Sequence, residues 1–142
     1  MAEDDELAVI RRRKMLNMMR QAVEKRVTEP LADGRVHHLT DSTFWSTIGR
    51  TRNALIDFFG EHCAPCRTLA PMIEEMAREF EGRVFFGKVD VNTNLRTATQ
   101  MQVYAVPTVI VFRNSRPVTA LQGLRPLAEY YSVLEQLTSQ KG

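Results

Sequence analysis

The chain has 142 residues, of which 44% are hydrophobic and 25% charged, and its net charge is +2. These values are typical of one globular domain with an extension, large enough to fold without disulfide staples. The small net charge excludes a strong field for nucleic acid, and no apolar run approaches the roughly 20 residues that span a bilayer. The acidic start, Glu3 to Glu6, differs from a basic secretory signal, so we expect a cytoplasmic protein.

A helix is predicted from about residue 5 to 27, because apolar residues recur there at roughly helical spacing. They are Leu7, Ile10, Met15, Met18, Met19, Ala22 and Val23. Residues 1–27 contain seven basic and five acidic groups, so the net charge of +2 belongs to this region. Pro30 and Gly34 indicate a linker over 28–34. We therefore divide the chain into a helical extension and linker, 1–34, and a domain, 35–142.

Three roles for the extension follow from its residues. Its Leu, Ile and Met side chains are suited to docking on the domain. Methionine also suits adaptable binding surfaces, which favours a helix that binds a partner protein. The basic run Arg11 to Lys14 is a weaker indication of contact with an acidic surface or nucleic acid.

Strands and helices alternate along the domain. Strands are predicted over 36–39, 53–59, 84–91, 108–112 and 118–122, the last two joined by a loop over 113–117. Helices are predicted over about 41–49, with Thr40 or Asp41 as cap, over 63–81, closed by Gly82 and kinked at Pro71, over 93–101 and over 126–140. The order βαβαβαββα implies an α/β fold with a mixed sheet covered on both faces.

The only two cysteines, Cys63 and Cys66, follow the apolar run 54–59 and open a predicted helix. A C-x-x-C pair in this position is typical of a redox centre. Unpaired N–H groups at a helix N-terminus favour a thiolate, and the second sulfur follows close enough to form a disulfide. A zinc half-site is the alternative, and it needs two further ligands, for which the chain offers only three histidines, His37, His38 and His62.

From about His38 to its C-terminus, roughly three quarters of its length, the chain resembles the thioredoxin family. Single motifs are weak evidence, whereas their common order is specific. The matching segments are His38-Leu39-Thr40-Asp41, Leu55-Ile56-Asp57-Phe58, Cys63-Ala64-Pro65-Cys66-Arg67, Leu69-Ala70-Pro71, Lys88-Val89-Asp90, Val106-Pro107-Thr108 and Phe112-Arg113-Asn114.

The resemblance implies a thioredoxin-like three-layer sandwich, with a central mixed sheet flanked by helices. It also implies that Cys63 is the nucleophile and Cys66 the resolving cysteine. We expect the pKa of Cys63 to lie below the free value of about 8.5. Pro65 stiffens the dithiol loop and, in this family, is typical of reductants. Ala64 replaces the glycine of the commonest family motif.

Asp57 interrupts an apolar strand, so it is either exposed at an edge or buried with a raised pKa. The resemblance places it beneath the disulfide, where it accepts the proton of the resolving thiol. A base for Cys66 is chemically sensible, because only a thiolate displaces a mixed disulfide. Lys88 matches a family lysine that neighbours this acid and tunes it. A solvated carboxylate on a half-exposed strand remains the alternative.

Pro107 matches the family's cis-proline, and a trans proline at a strand edge is the alternative. A cis bond there would present the Val106 backbone to an extended substrate segment. Gly123 matches a glycine that lets substrate approach the same groove.

His62 stands where the family usually has a tryptophan, beside the first cysteine, and the single tryptophan, Trp45, lies elsewhere. This departure removes an apolar contact for targets and introduces a group that titrates near neutral pH. A protonated His62 would favour the thiolate and a more oxidising pair, whereas a plain surface histidine changes little. We include His62 and Ala64 among the substrate-binding residues.

We therefore predict a thiol–disulfide oxidoreductase that reduces protein disulfides through Cys63-Ala64-Pro65-Cys66. It needs no bound cofactor or metal, because the electrons reside on the two sulfurs. The implied partners are disulfide-containing proteins and a thioredoxin reductase, without membrane or nucleic acid, and we take the chain as a monomer. The alternatives are a dithiol oxidase or isomerase, and a client-binding holdase or adaptor that uses the Met-rich helix.

Overall fold

The computed structural model describes residues 2–26 and 29–139, and within its first helix it describes the side chains of residues 5–20. The predicted positions Ala22, Val23, Thr28 and Gln140 therefore fall partly or wholly outside the described residues. The elements in chain order are α1 Ala2–Arg26, β1 Val36–His38, α2 Phe44–Ile48, β2 Asn53–Phe59, α3 Ala64–Glu79, β3 Phe85–Asp90, α4 Leu95–Gln100, β4 Thr108–Arg113, β5 Arg116–Gln122 and α5 Leu127–Ser139.

The five strands form one sheet in the order β1-β3-β2-β4-β5. Strands β1, β3 and β2 pair in parallel, whereas β4 pairs antiparallel with both β2 and β5. The predicted mixed sheet is therefore confirmed. Strand β2 lies at its centre, and it is the strand that leads into the cysteine pair.

Two hydrophobic clusters cover the two faces of the sheet. Leu55 belongs to the cluster formed with α3 and α5, and Ile56 to the cluster formed with α2 and α4. Because side chains alternate along a strand, Asp57 points to the same face as Leu55. The sequence therefore directs one carboxyl group into the layer between the sheet and α3.

Helix α2 begins at Phe44, so its predicted start at 41 is wrong. The Asp41 carboxylate instead accepts hydrogen bonds from the backbone N–H and the hydroxyl of Thr97, at 2.8 and 2.7 Å. Thr97 lies in the first turn of α4, whose amides have no partner within the helix. Asp41 thus caps a helix distant in sequence, which local spacing does not reveal.

The predicted loop over 113–117 is also too long. Strands β4 and β5 are joined by the two residues Asn114 and Ser115, whose φ angles of 51° and 68° are typical of a tight hairpin turn. Pro117 lies inside β5, where an edge position and a shift in register accommodate its missing N–H.

The segment predicted to be a linker packs against the domain. Both Arg52 N and Asn53 N, at the start of β2, donate to Oε1 of Glu29, the latter at 2.8 Å. The Glu29 amide donates to the Gly82 carbonyl at 2.9 Å, and the Gly82 amide donates to the Ala32 carbonyl at 2.7 Å. Residues 29–32 therefore connect the start of β2 with the turn that follows α3.

The N-terminal helix is confirmed, but its predicted docking on the domain is wrong for the side chains described. Every side chain from 5 to 20 is exposed, including Leu7, Ile10 and Met18 at 51%, 60% and 64%. Among the described residues, no helix combines the length and apolarity needed to cross a membrane.

Candidate functional site: the cysteine pair and its surroundings

Strand β2 delivers the cysteine pair to the beginning of α3. Cys63 is the N-cap of that helix and forms a disulfide with Cys66, with a Cα–Cα distance of 5.2 Å. The Cys66 amide donates to the Cys63 Sγ at 3.2 Å. Pro65 occupies the first turn, where its missing N–H costs no helical hydrogen bond. The helix N-terminus thus directs an amide towards the first sulfur.

The two cysteines differ in exposure. Cys66 is only 5% exposed, whereas Cys63 is half-buried. The three residues around the nucleophile position, His62, Ala64 and Pro65, are exposed. A macromolecule that approaches the pair therefore meets Cys63.

The loop before Cys63 is held by Asn92, a residue that the sequence analysis missed. The Glu61 amide donates to Asn92 Oδ1 at 2.8 Å. Gly60 leaves room for this packing, since a Cβ there would lie 3.1 Å from Val106 Cγ2 and 3.3 Å from Asn92 Oδ1. His62 has φ 52°, which is unusual outside glycine. No motif in the sequence pointed to Asn92.

The Val106–Pro107 peptide bond is cis. The Val106 carbonyl oxygen lies 3.8 Å from the Cys63 Sγ, so this loop borders the disulfide. The Gly123 amide donates to the Pro107 carbonyl at 2.7 Å, and Gly123 has φ +80°. The structure thus brings together Cys63, Val106, Pro107 and Gly123 from three separate parts of the chain.

Asp57 is 3% exposed, and its Oδ1 has no hydrogen-bond partner among the described residues. Burial raises the pKa of Asp57 to about 7, against the opposing effect of the Lys88 ammonium. The alternative of a solvated carboxylate is therefore wrong. A carboxyl group in this state exchanges a proton near neutral pH.

Tyr130 on α5 is a second residue that the sequence analysis missed. It is fully buried, its hydroxyl accepts from the Arg125 amide at 3.1 Å, and the hydroxyl donates to the Gly123 carbonyl at 3.4 Å. Burial, foremost, raises the pKa of Tyr130, and the negative charge of Asp57 adds to this effect. Tyr130 therefore connects α5 with the loop that borders the cis-proline.

The zinc alternative does not fit this arrangement. Both sulfurs are used by the disulfide, and in the parts of the chain described here no three His, Cys, Asp or Glu side chains converge on a metal position.

The model of the thioredoxin family matches residues 35–136 of the chain. The chain belongs to the thioredoxin family. Thioredoxin of Staphylococcus saprophyticus is 37% identical over 98 residues, which cover 69% of this chain and 93% of the relative. Thioredoxin of Staphylococcus aureus is 36% identical over the same length and coverage.

Solved thioredoxin structures share the fold. Spinach chloroplast thioredoxin f, in its short form, superposes with a TM-score of 0.71 at 25% identity, covering 75% of this chain and 96% of that one. A point mutant of Halobacterium salinarum thioredoxin also gives 0.71, at 23% identity, covering 77% and 96%. The three-layer α/β fold is thereby confirmed, and the chain is a protein thiol–disulfide oxidoreductase.

Proposed function

We propose that this member of the thioredoxin family reduces protein disulfides, with Cys63 as the nucleophile and Cys66 as the resolving cysteine. The difference in exposure between the two sulfurs carries this proposal, because only the half-buried Cys63 is open to a protein disulfide. The thiolate of Cys63 attacks one sulfur of the target disulfide, and the other target sulfur leaves as a thiolate. The product is a mixed disulfide at Cys63.

Resolution requires Cys66 to lose its proton. We assign Asp57 as the proton acceptor, since a carboxyl group with a pKa of about 7 is well matched to a transfer at neutral pH. The Cys66 thiolate then attacks the Cys63 sulfur and displaces the second target thiolate. Two electrons have moved to the target, and Cys63 and Cys66 end as the disulfide seen here. Lys88 tunes Asp57 through its charge, and Pro65 tunes the pair by stiffening the first turn.

The substrate groove is assigned to His62, Ala64, Val106, Pro107 and Gly123. An extended target segment pairs with the Val106 backbone, as strands do when they are added to an exposed edge. The exposed His62 and Ala64 border it on the helix side. Gly123 presents no side chain, and a Cβ there would meet no atom within 4 Å, so the groove is open at this point.

The family implies disulfide-containing targets and recycling by a thioredoxin reductase, and we assign both to this chain. It needs no resident cofactor, because the exchanged electrons reside on the sulfurs. We place the reaction in the cytoplasm, where thiols are kept reduced. We also keep residues 35–142 as the redox domain, with 29–34 as a connection that packs against it.

The test is dithiothreitol-driven reduction of a protein with an exposed disulfide, together with a redox titration. Cys63→Ser should abolish turnover, whereas Cys66→Ser should accumulate a mixed disulfide with the target. Full turnover by Cys63→Ser would refute the assignment. A potential as oxidising as that of a dithiol oxidase, about −120 mV, would instead favour the oxidase or isomerase alternative.

The exposed methionines of α1 favour the client-binding alternative as a second role. Removal of residues 1–28 separates the two roles. The shortened chain should keep disulfide reduction, and if the holdase role is real it should no longer suppress aggregation of an unfolded client. Cys63→Ser should show the opposite behaviour.

A further inference from the structure

Tyr104 is the most exposed large hydrophobic side chain in the described part of the chain, at 84%. It lies two residues before Val106, whose carbonyl oxygen is 3.8 Å from the Cys63 Sγ. Two trans peptide units span at most about 7 Å between their outer α-carbons, so the tyrosine is attached beside the loop that borders the disulfide. The steps described above give this residue no role.

The backbone on both sides of Tyr104 is fixed. The amide of Val103, a buried residue, donates to the Ala98 carbonyl at 2.9 Å. The Thr108 hydroxyl donates to the Ala105 carbonyl at 2.6 Å, across the cis-proline. An aromatic side chain on a fixed backbone loses little conformational entropy when a partner covers it. Tyr104 is therefore well suited to contact another protein.

A second exposed apolar side chain belongs to the segment that is hydrogen-bonded to this loop. The Gly123 amide donates to the Pro107 carbonyl at 2.7 Å, and the next residue, Leu124, is 42% exposed. The loop before Cys63 and the start of α3 differ, since their exposed residues His62, Ala64 and Pro65 include no large hydrophobic side chain. Apolar contact with a target therefore depends on the cis-proline side of the site.

We propose that Tyr104 is a specificity-determining residue, which packs on an apolar side chain close to the cysteine of the target. This proposal rests on the reductase function proposed above, because it concerns how the target is held while Cys63 attacks. Tyrosine is among the residues that contribute most to protein interfaces.

The spacing along the chain defines which target residues are involved. A target segment that pairs with the Val106 backbone has its cysteine nearby, because the Val106 carbonyl borders the Cys63 sulfur. The distance of about 7 Å from Val106 to Tyr104 corresponds to two residues of an extended strand. The ring therefore reaches side chains within about two positions of the target cysteine. Targets with large apolar residues there are preferred over targets with small polar ones.

The test measures how fast Cys63 attacks two peptides that differ only beside their cysteine. Each peptide has one cysteine, in a disulfide with thionitrobenzoate. The two positions on either side of that cysteine are leucine in one peptide and serine in the other. Attack of the Cys63 thiolate on the peptide sulfur releases coloured thionitrobenzoate and leaves the peptide bonded to Cys63. The full chain with Cys66→Ser is used, so that this mixed disulfide is not resolved.

The ratio of the two rate constants is the result of interest. With Tyr104 present, the leucine peptide should react roughly fivefold faster than the serine peptide. Tyr104→Ala should lower this ratio roughly threefold or more, whereas Tyr104→Phe keeps the ring and should keep the ratio. Val118→Ala is the matched control, because Val118 is 52% exposed but lies towards the start of β5, away from Gly123. It should leave the ratio unchanged.

An unchanged ratio in Tyr104→Ala overturns the proposal, and so does an equal fall in Val118→Ala. A variant that reacts more slowly with both peptides to the same degree also overturns it, because the ring would then support the loop without selecting targets. Alkylation of reduced Cys63 by iodoacetamide, measured against pH, should be the same with and without Tyr104→Ala. A change there would place the effect on the thiolate and not on the target.

Failure of this proposal is distinguishable from failure of the reductase function. If Cys63 reacts with both peptides without preference for leucine, only the role of Tyr104 is refuted. If Cys63→Ser retains full turnover in the dithiothreitol assay, the reductase mechanism itself is refuted, and the role of Tyr104 with it.

Discussion

Asp57 faces Lys88 across the parallel pairing of β2 and β3, and burial raises the pKa of Asp57 to about 7 against the opposing effect of the lysine ammonium. The balance between burial and the lysine charge sets the protonation state of this buried carboxyl group.

Asp57→Asn should stabilise the protein above neutral pH. The folded-state pKa of Asp57 lies above its ordinary value of 3.8, so the folded state binds this proton more tightly than the unfolded state. Stability therefore falls as pH rises from about 4 to about 7. The asparagine variant has no such proton to lose, so its free energy of unfolding at pH 8 should exceed that of the wild type by about 2–4 kcal/mol. Urea unfolding at pH 5 and pH 8 measures the effect, and an equal pH dependence in both proteins would contradict it.

Lys88→Met should raise the pKa of Asp57 further, because a positive charge that favours the carboxylate is removed. The pH at which mixed-disulfide resolution becomes fast should rise with it. Stopped-flow resolution of a preformed mixed disulfide, measured against pH, reports this shift. Lys88→Arg keeps the charge and serves as the control, so a similar shift in both variants would rule out an electrostatic cause.

Glu29→Ala should destabilise the domain. The carboxylate accepts from the Arg52 and Asn53 amides at a buried position, and an unpaired buried amide costs about 1–3 kcal/mol. The melting temperature should fall by about 4 °C or more. Glu29→Gln retains an accepting oxygen, so its melting temperature should fall less than that of Glu29→Ala. Equal losses in the two variants would show that packing, and not the hydrogen bonds, matters there.

Gly123→Ala should cost about 1 kcal/mol, because its φ of +80° is unfavourable for a residue with a Cβ. The Cβ itself meets no atom within 4 Å, so no clash contributes. Gly123→Asn tolerates this backbone conformation better and should recover stability. If the groove assignment holds, both variants should raise the KM for a protein target. A normal KM in both would remove Gly123 from the substrate groove.

Where local signals were strong, the sequence predicted the fold closely. Strand β2 occupies the predicted residues Asn53–Phe59, since its apolar run is bounded by clear turn residues. The loop predicted between β4 and β5, 113–117, is too long, since Arg116 and Pro117 belong to β5. A bulged edge strand tolerates the proline.

Long-range partners escaped sequence reasoning. Glu29 resembled a linker residue, yet its carboxylate binds amides 23 and 24 positions away. Asn92 and Tyr130 support the site through contacts that depend on the folded arrangement of distant segments. The order of the family motifs predicted which residues surround the disulfide. The burial of Asp57, in contrast, depends on how the helices pack on the sheet, which the motifs do not reveal.

The unequal exposure of Cys63 and Cys66 also has a kinetic consequence. With Cys63 as the attacking sulfur, as proposed, electrons enter and leave the protein through one sulfur atom, so an oxidised target and the reducing partner compete for the same site. Neither can occupy the site while the other is bound. Turnover should therefore follow a double-displacement pattern, with parallel lines in double-reciprocal plots. An excess of either partner should slow turnover, because it occupies the site and excludes the other partner.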